Sequence, residues 1–210
     1  MAFDYKKEYK EFYLPGGKPE IVTVPPMCFA AVRGTGNPNE EGGAYQQALG
    51  LLYGVSFTIK MSYKSDHRMD GYFEYVVPPL EGFWWMDGIC GFDARQKEKF
   101  HWISVIRLPE FVTEDAFAWA KEEAARKKKI DFSAVEYWRH TEGLCVQCMH
   151  IGPFDDEPET VRRMDAFVTE NGYASDFSDA RMHHEIYLSD ARRVEPDRLK
   201  TVIRHPVRRV

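Results

Sequence analysis

The chain is poor in the features that mark several broad protein classes. It has only four cysteines in 210 residues, at positions 28, 90, 145 and 148. Two of them, in "GLCVQCMHIG", have redox or zinc spacing, but the run reads as a strand. A strand sends Cys145 and Cys148 to opposite faces, which suits neither a shared metal nor a local disulfide. No second Cys/His pair has zinc-site spacing, so reduced packing cysteines are expected. No apolar run approaches the roughly 20 residues of a membrane span, and "MAFDYKKEYKEF" has no signal-peptide core. A cytoplasmic protein that does not enter a membrane is the expectation. Net positive charge is also lacking. The formal net charge of −5 gives no pull toward nucleic acid, and the basic run Arg126 to Lys129 reads as a solvated helix end that complements the dipole. The glycines of "GTGNPNEEGG" precede a helix, but the P-loop lysine and the full dinucleotide fingerprint are missing. Glu40 and Glu41 would also repel a phosphate, so this is a turn. No cofactor is implied.

What is present suits a soluble globular protein. A hydrophobic share of 44% against 29% charged is enough for a sizeable core. Aromatic residues reach 14%, with five Trp, eleven Tyr and fourteen Phe. That surplus can pack a core or wall a cavity for flat organic molecules.

The periodicity divides the chain into two similar halves. "PEIVTVPPMCFAAVRG" is an extended stretch broken by Pro25 and Pro26. Tyr45, Ala48, Leu49, Leu52 and Tyr53 then recur at helical spacing, with Asn37 or Asn39 as the cap and Gly54 at the end. Strands are expected at "YGVSFTIKM", "DGYFEYVVPP" and "FHWISVIRL", with the aromatic stretch "LEGFWWMDG" between the last two. Thr113 caps the helix "EDAFAWAKEEAARKKK". The second half runs strand "GLCVQCMHIG", then helix "PFDDEPETVRRMDAFVTENG" with Pro158 near its start and Asn171-Gly172 at its end. Strands "MHHEIYLSD" and "LKTVIRHPV" follow. This is an internal duplication: one domain over 1–210, built of repeats of about 18–110 and 140–208 joined by a helix-containing segment. The fold class is α+β, with β-α-β-β repeats forming a mostly antiparallel sheet that carries its helices on one face.

In "HHEIYLSD" a carboxylate stands in mid-strand. Alternation puts His183, Glu185 and Tyr187 on one face, and His184, Ile186 and Leu188 on the other, which is largely core-like. In "YFEYVV" the matching acid is Glu74, beside Tyr72 and opposite Phe73, Tyr75 and Val77. A strand acid of this kind can be a solvated surface group or part of a ligand site.

The stretches "YKEFYLPGGKPEIVTVPPMCFAAVRGTGNPN", "YQQALGLLYGVSFTIKM", "YVVPPLEGFWW", "EGLCVQCMHIGPFDDEP" and "HHEIYLSDARRVEPDRLKTVIRHPV" together resemble the GyrI-like small-molecule-binding family, related to gyrase-inhibitory protein and to effector-binding domains of multidrug-responsive regulators. The resemblance spans nearly the whole chain. It implies a ligand cleft between the repeats on the face away from the helices, with the family's pocket glutamate at Glu185. It also implies the stand-alone type, some members of which are similar to hydrolases that open strained cyclopropane rings of genotoxic natural products.

On that reading Glu185 is the base that activates water, and its ligand-side neighbours are Tyr187, Tyr72, Trp84, Trp85, Phe83, Trp138, His183 and Glu74. Trp84 and Trp85 are adjacent, so one lines the cleft and the other packs the core; Phe83 accompanies Trp85. His183 and His184 face opposite ways, so "HHE" is no metal motif. His150 beside Gly152 reads as a satisfied structural histidine. The expected partners are flat hydrophobic or cationic small molecules, bound by a monomer. Pure binding of lipophilic cations and a protein-directed role through "NEEGG" and "DDEPE" are the alternatives.

Overall fold

The computed structural model describes residues 2–88 and 95–210; Cys90 lies outside them. Two short helices, α1 (Tyr5–Glu8) and α2 (Lys10–Tyr13), precede strands β1 (Glu20–Val24) and β2 (Met27–Thr35), which Pro25 and Pro26 separate. Helix α3 (Ala44–Lys60) leads to β3 (Leu80–Trp85) and β4 (His101–Arg107), and α4 (Glu114–Lys128) leads to β5 (Glu136–His140) and β6 (Gly143–Ile151). Helix α5 (Glu157–Glu170), β7 (Tyr173–Ser175), β8 (His183–Tyr187) and β9 (Lys200–Arg209) complete the chain. The sheet is antiparallel in the order β1-β6-β9-β8-β3-β4-β2-β5, with β7 beside β9. The order strand, helix, strand, strand occurs twice, as β2-α3-β3-β4 and as β6-α5-β8-β9, the second with short β7 inserted, and β3 pairs with β8 at the centre. The mixed α+β class and the antiparallel sheet are those expected from the sequence.

Two segments expected as strands are not. "YGVSFTIKM" continues α3 to Lys60: Ala48, Leu52, Val55 and Ile59 are all buried and keep a helical interval past Gly54. Gly54 does not end the helix. A Cβ there would lie 2.6 Å from Cε1 of Phe132, so the glycine serves close packing. Neither Asn37 nor Asn39 caps α3; the N-cap is Gly43, and Asn37 Oδ1 instead accepts the Asn39 N–H. "DGYFEYVVPP" alternates in burial, with Tyr75 buried and Glu74 and Val76 more open, but only an isolated bridge joins it to Phe3. Pro78 and Pro79 lack the donors that a ladder would need. The "LEGFWW" run takes the strand position, as β3. Thr113 caps α4 as expected, its Oγ1 accepting the Ala116 N–H.

The sheet register aligns side chains in rows across the strands. Val32, Ser104, Gly82, Glu185, Ile203 and Cys148 form one row, flanked by a row containing Trp102, Trp84 and His183. This face carries the long helices: α3 and α4 bury the Val32 and Trp102 end, and α5 buries the Ile203 and Cys148 end. The opposite face is closed by Tyr5, Phe12 and Tyr13 of the N-terminal segment and by Tyr75, which pack against Ala31, Phe83, Val105, Ile186 and Val202.

That opposite face is not purely apolar. Arg204, 2% exposed, donates to Glu142 at 2.8 Å, to the Phe12 carbonyl at 2.7 Å and to Gln147. His184 lies 3.0 Å from both Glu142 and Glu81. Burial opposes charge on His184, but Glu142 and Glu81 more than offset it and raise its pKa. The network ties the N-terminal segment to the sheet through paired charges, the condition under which buried charges are tolerated.

Among the described residues no helix is long and apolar enough to cross a membrane. Cys145 and Cys148 are free and buried, and Cys28 is free. His150 is held by the Thr160 hydroxyl at 2.9 Å and the Pro153 carbonyl at 3.0 Å, a satisfied structural histidine.

Candidate functional site

Glu185 stands at the centre of the sheet, on the helix face, directly opposite Gly82 of β3. This differs from the expected cleft on the face away from the helices. The reason is that the N-terminal segment fills that other face, while α3 and α5 cover opposite ends of the helix face. Glu185 is 7% exposed. The Tyr187 hydroxyl donates to its Oε2 at 2.7 Å, and His183 Nε2 lies 2.9 Å from its Oε1. The Trp84 indole N–H donates to the Tyr187 oxygen at 3.1 Å. From α3, the Tyr45 ring lies 5.4 Å from that of Trp84. Burial first, then the nearby Glu185 carboxylate, raises the Tyr187 pKa well above its usual value and also raises that of Tyr45. Both phenols therefore stay protonated and available as donors.

Behind His183 stands a second histidine: its Nδ1 lies 2.6 Å from His205 Nε2. Burial, and then His183, push His205 well below its ordinary pKa, so it is neutral. We assign its Nε2–H as donor to His183 Nδ1, which leaves the His183 Nε2–H to donate to Glu185.

The first residue of α5, Glu157, completes the cluster. It is 3% exposed, and its Oε1 is buried with no hydrogen-bond partner among the described residues. Burial, then the charge of Glu185, raises its pKa well above the usual carboxylate range. One ligand atom from each of Glu157, His183 and Glu185 lies within 4.8 Å of the others, a spacing that a shared proton or a cation could satisfy. A groove of about 820 Å³ along α5 and β7 reaches Glu157, His183 and His205, with Phe154, Val161 and Phe177 on its walls.

The structure thus brings together Glu185, Tyr187, His183 and Trp84 from the sequence-derived set. The other members lie elsewhere. Phe83 and Trp85 share the opposite face, Phe83 stacked on His184 at 3.9 Å and Trp85 on His101 at 5.3 Å. Trp138, on β5, packs against Phe83 at 5.2 Å. The Tyr72 hydroxyl donates to the Lys60 carbonyl at 2.7 Å, and Glu74 receives the Phe3 N–H on its backbone oxygen. The strand alternation separates Trp84 from Trp85 as the sequence required, and the register selects Trp84 for the Glu185 face.

Sequence reasoning missed Glu157, Tyr45, His205 and Gly82. Glu157 sits in "DDEPE", where Asp155, Asp156 and Glu159 are exposed, so its local pattern reads as a solvated helix start. Tyr45 belongs to an apolar stripe that also packs the core. Only the pairing of β8 with β9 brings His205 to His183.

Comparison with known proteins agrees with this architecture. An uncharacterised conserved protein from Listeria innocua shares 48% identity at a TM-score of 0.93, covering 99% of this chain and 100% of its own. Two structures of hydrolases from the same organism share 46% identity, with TM-scores of 0.89 and 0.91 over 99% of this chain and 100% of theirs. The EcmrR C-terminal domain, at 11% identity and a TM-score of 0.56, shares the fold over 92% of this chain and 98% of its own. No curated protein matches the chain. The family model of the GyrI-like small molecule binding domain matches residues 17–208, and the chain belongs to that family.

Proposed function

We propose that the chain binds flat hydrophobic small molecules over the β3–β8 pair and adds water to reactive ones, such as electrophiles with a strained cyclopropane ring, using Glu185 as base. The observation that carries this reading is the Glu185 carboxylate itself. It is buried at the sheet centre, opposite a residue without a side chain, with a donor on each oxygen. Such a group is fixed in direction, and a base held within reach of water contributes roughly 10²–10⁴-fold by proton transfer. Tyr45 and Trp84 supply aromatic surface beside it, and alignment of a bound electrophile adds to the rate. Two relatives at 46% identity are hydrolases, which supports catalysis over capture.

The test is incubation with a cyclopropane-activated electrophile, followed by weighing the recovered small molecule. A gain of one water, nearly abolished by Glu185→Gln while ligand binding persists, is the expected result. Unchanged turnover in the variant removes Glu185 as base.

A second reading is non-catalytic capture of lipophilic cations. Two buried acids beside Tyr45 and Trp84 favour it through ion pairing and cation–π attraction. Recovery of intact ligand from the wild-type protein would select it. A protein-directed, gyrase-inhibitor-like role has less support, because burial of Glu157 removes one acid from the "DDEPE" surface.

A further inference from the structure

We propose that Glu157 carries the proton of the Glu157–Glu185 pair and delivers it to the substrate oxygen that gains charge while Glu185 takes a proton from water. This rests on the hydrolytic reading above and adds a second catalytic residue to it.

The hydrogen bonds decide which acid holds the proton. With His183 in the tautomer assigned above, both Glu185 oxygens have donors, Tyr187 at 2.7 Å and His183 at 2.9 Å, the pattern of an ionised carboxylate. Glu157 is as deeply buried, yet its Oε1 has no hydrogen-bond partner among the described residues. Two neighbouring buried carboxylates do not both ionise, and the proton belongs on Glu157, whose Oε1 lacks a donor and whose side chain hydrogen-bonds Glu185. One effect opposes this: Glu157 opens α5, and a helix N-terminus favours an anion by about 0.3–1 kcal/mol. Burying a polar group without a compensating hydrogen bond costs about 1–3 kcal/mol on protein scales, and a charge costs more, so burial prevails. The other titratable groups around the pair are Tyr45, Tyr187, Asp155, His183 and His205. Each phenol is held protonated and His205 neutral, so these three offer Glu157 no cation.

The step balances within the pair. A water O–H bond breaks and its proton goes to Glu185, while the water oxygen bonds to a cyclopropane carbon. The ring C–C bond breaks, and its electrons move through the conjugated system to a carbonyl oxygen. That oxygen takes the Glu157 proton. The pair ends as protonated Glu185 and ionised Glu157, and one proton transfer between them restores the starting state. No oxidant or external acid is consumed.

Two measurements test this. Infrared spectroscopy of the wild-type protein at neutral pH should show a buried protonated carboxyl band that Glu157→Gln removes. In turnover, Glu157→Gln copies the shape of the protonated acid and should still bind ligand. It should lose on the order of 10²–10⁴-fold in kcat on an electrophile whose product oxygen needs the proton. On a nitro-substituted analogue, whose product oxyanion is stable at neutral pH, the loss should be much smaller. A merely structural role would slow both substrates equally, and that result overturns the proposal. So does absence of the carboxyl band, or a stoichiometric divalent cation bound in place of the proton. If the band is present but wild-type protein adds no water, the hydrolytic reading fails and takes the acid role with it. If wild-type protein turns over and Glu157→Gln is equally fast, only the role of Glu157 fails.

Discussion

Gly82 faces Glu185 across the β3–β8 pair, and its missing side chain is what allows Trp84 and Tyr187 to meet over the strand. A Cβ at position 82 would lie 2.6 Å from the Trp84 indole nitrogen and 3.0 Å from the Tyr187 hydroxyl. Gly82→Ala should therefore displace the indole, break its 3.1 Å bond to Tyr187 and loosen the donor on Glu185. Overpacking of this kind costs about 1–3 kcal/mol. Urea unfolding should show that loss, with a change in tryptophan emission; a variant as stable as the parent would mean that the strand pair yields easily.

Gly54 sets two rules against each other. Helix propensity alone has Ala more stable than Gly by about 1 kcal/mol in a helix interior. The Phe132 ring, which would lie 2.6 Å from an alanine Cβ at this position, opposes it at about 1–3 kcal/mol. Packing against an aromatic ring in the core is the larger effect, so Gly54→Ala should lower the unfolding midpoint. A stabilised variant would show that the ring can move aside.

Glu142 binds both Arg204 at 2.8 Å and His184 at 3.0 Å. Burial alone would raise its pKa, but these two cations hold it well below the carboxylate range. Glu142→Gln leaves two buried cations short of a partner, a loss of about 3–5 kcal/mol for a broken buried pair. Adding Arg204→Met to that variant should recover part of the loss, read as a rise in the denaturation midpoint of the double variant above the single.

Acid should weaken the fold through histidines kept neutral. Burial lowers the His140 pKa from 6.5 to about 4, helped by His184 and nearby arginines and opposed by Glu142, and His205 shifts the same way. In the unfolded chain both bind protons below about pH 6.5, and in the folded chain they do not. Stability should therefore fall as pH drops from about 6.5 to about 4. His184 has the opposite sign: with a raised pKa it adds stability below pH 6.5, which is lost as pH rises through its folded value. In His140→Phe, which can keep the stack on Trp138, the acid slope measured by chemical denaturation at several pH values should be shallower.

Local sequence pattern alone determined much of this molecule. Pro25 and Pro26 split one extended run into β1 and β2, Thr113 announced α4, and the alternation of "HHEIY" placed His183, Glu185 and Tyr187 on one face, because these features depend on residues close together in the chain. The same local view read the end of α3 and the "YFEYVV" segment as strands. For α3 the buried stripe Ala48, Leu52, Val55 and Ile59 keeps its helical interval past Gly54, whose close approach to the distant Phe132 ring explains the glycine. The "YFEYVV" segment finds its bridge partner in Phe3, also distant in sequence. Tertiary structure also decided which sheet face is open to chemistry, because an N-terminal segment with no strong pattern of its own covers the other one. Glu157 is the plainest case. Nothing in "DDEPE" separates it from the solvated acids on either side. Only the docking of α5 on the sheet turns that one carboxylate inward to Glu185, where burial and a neighbouring charge change its chemistry.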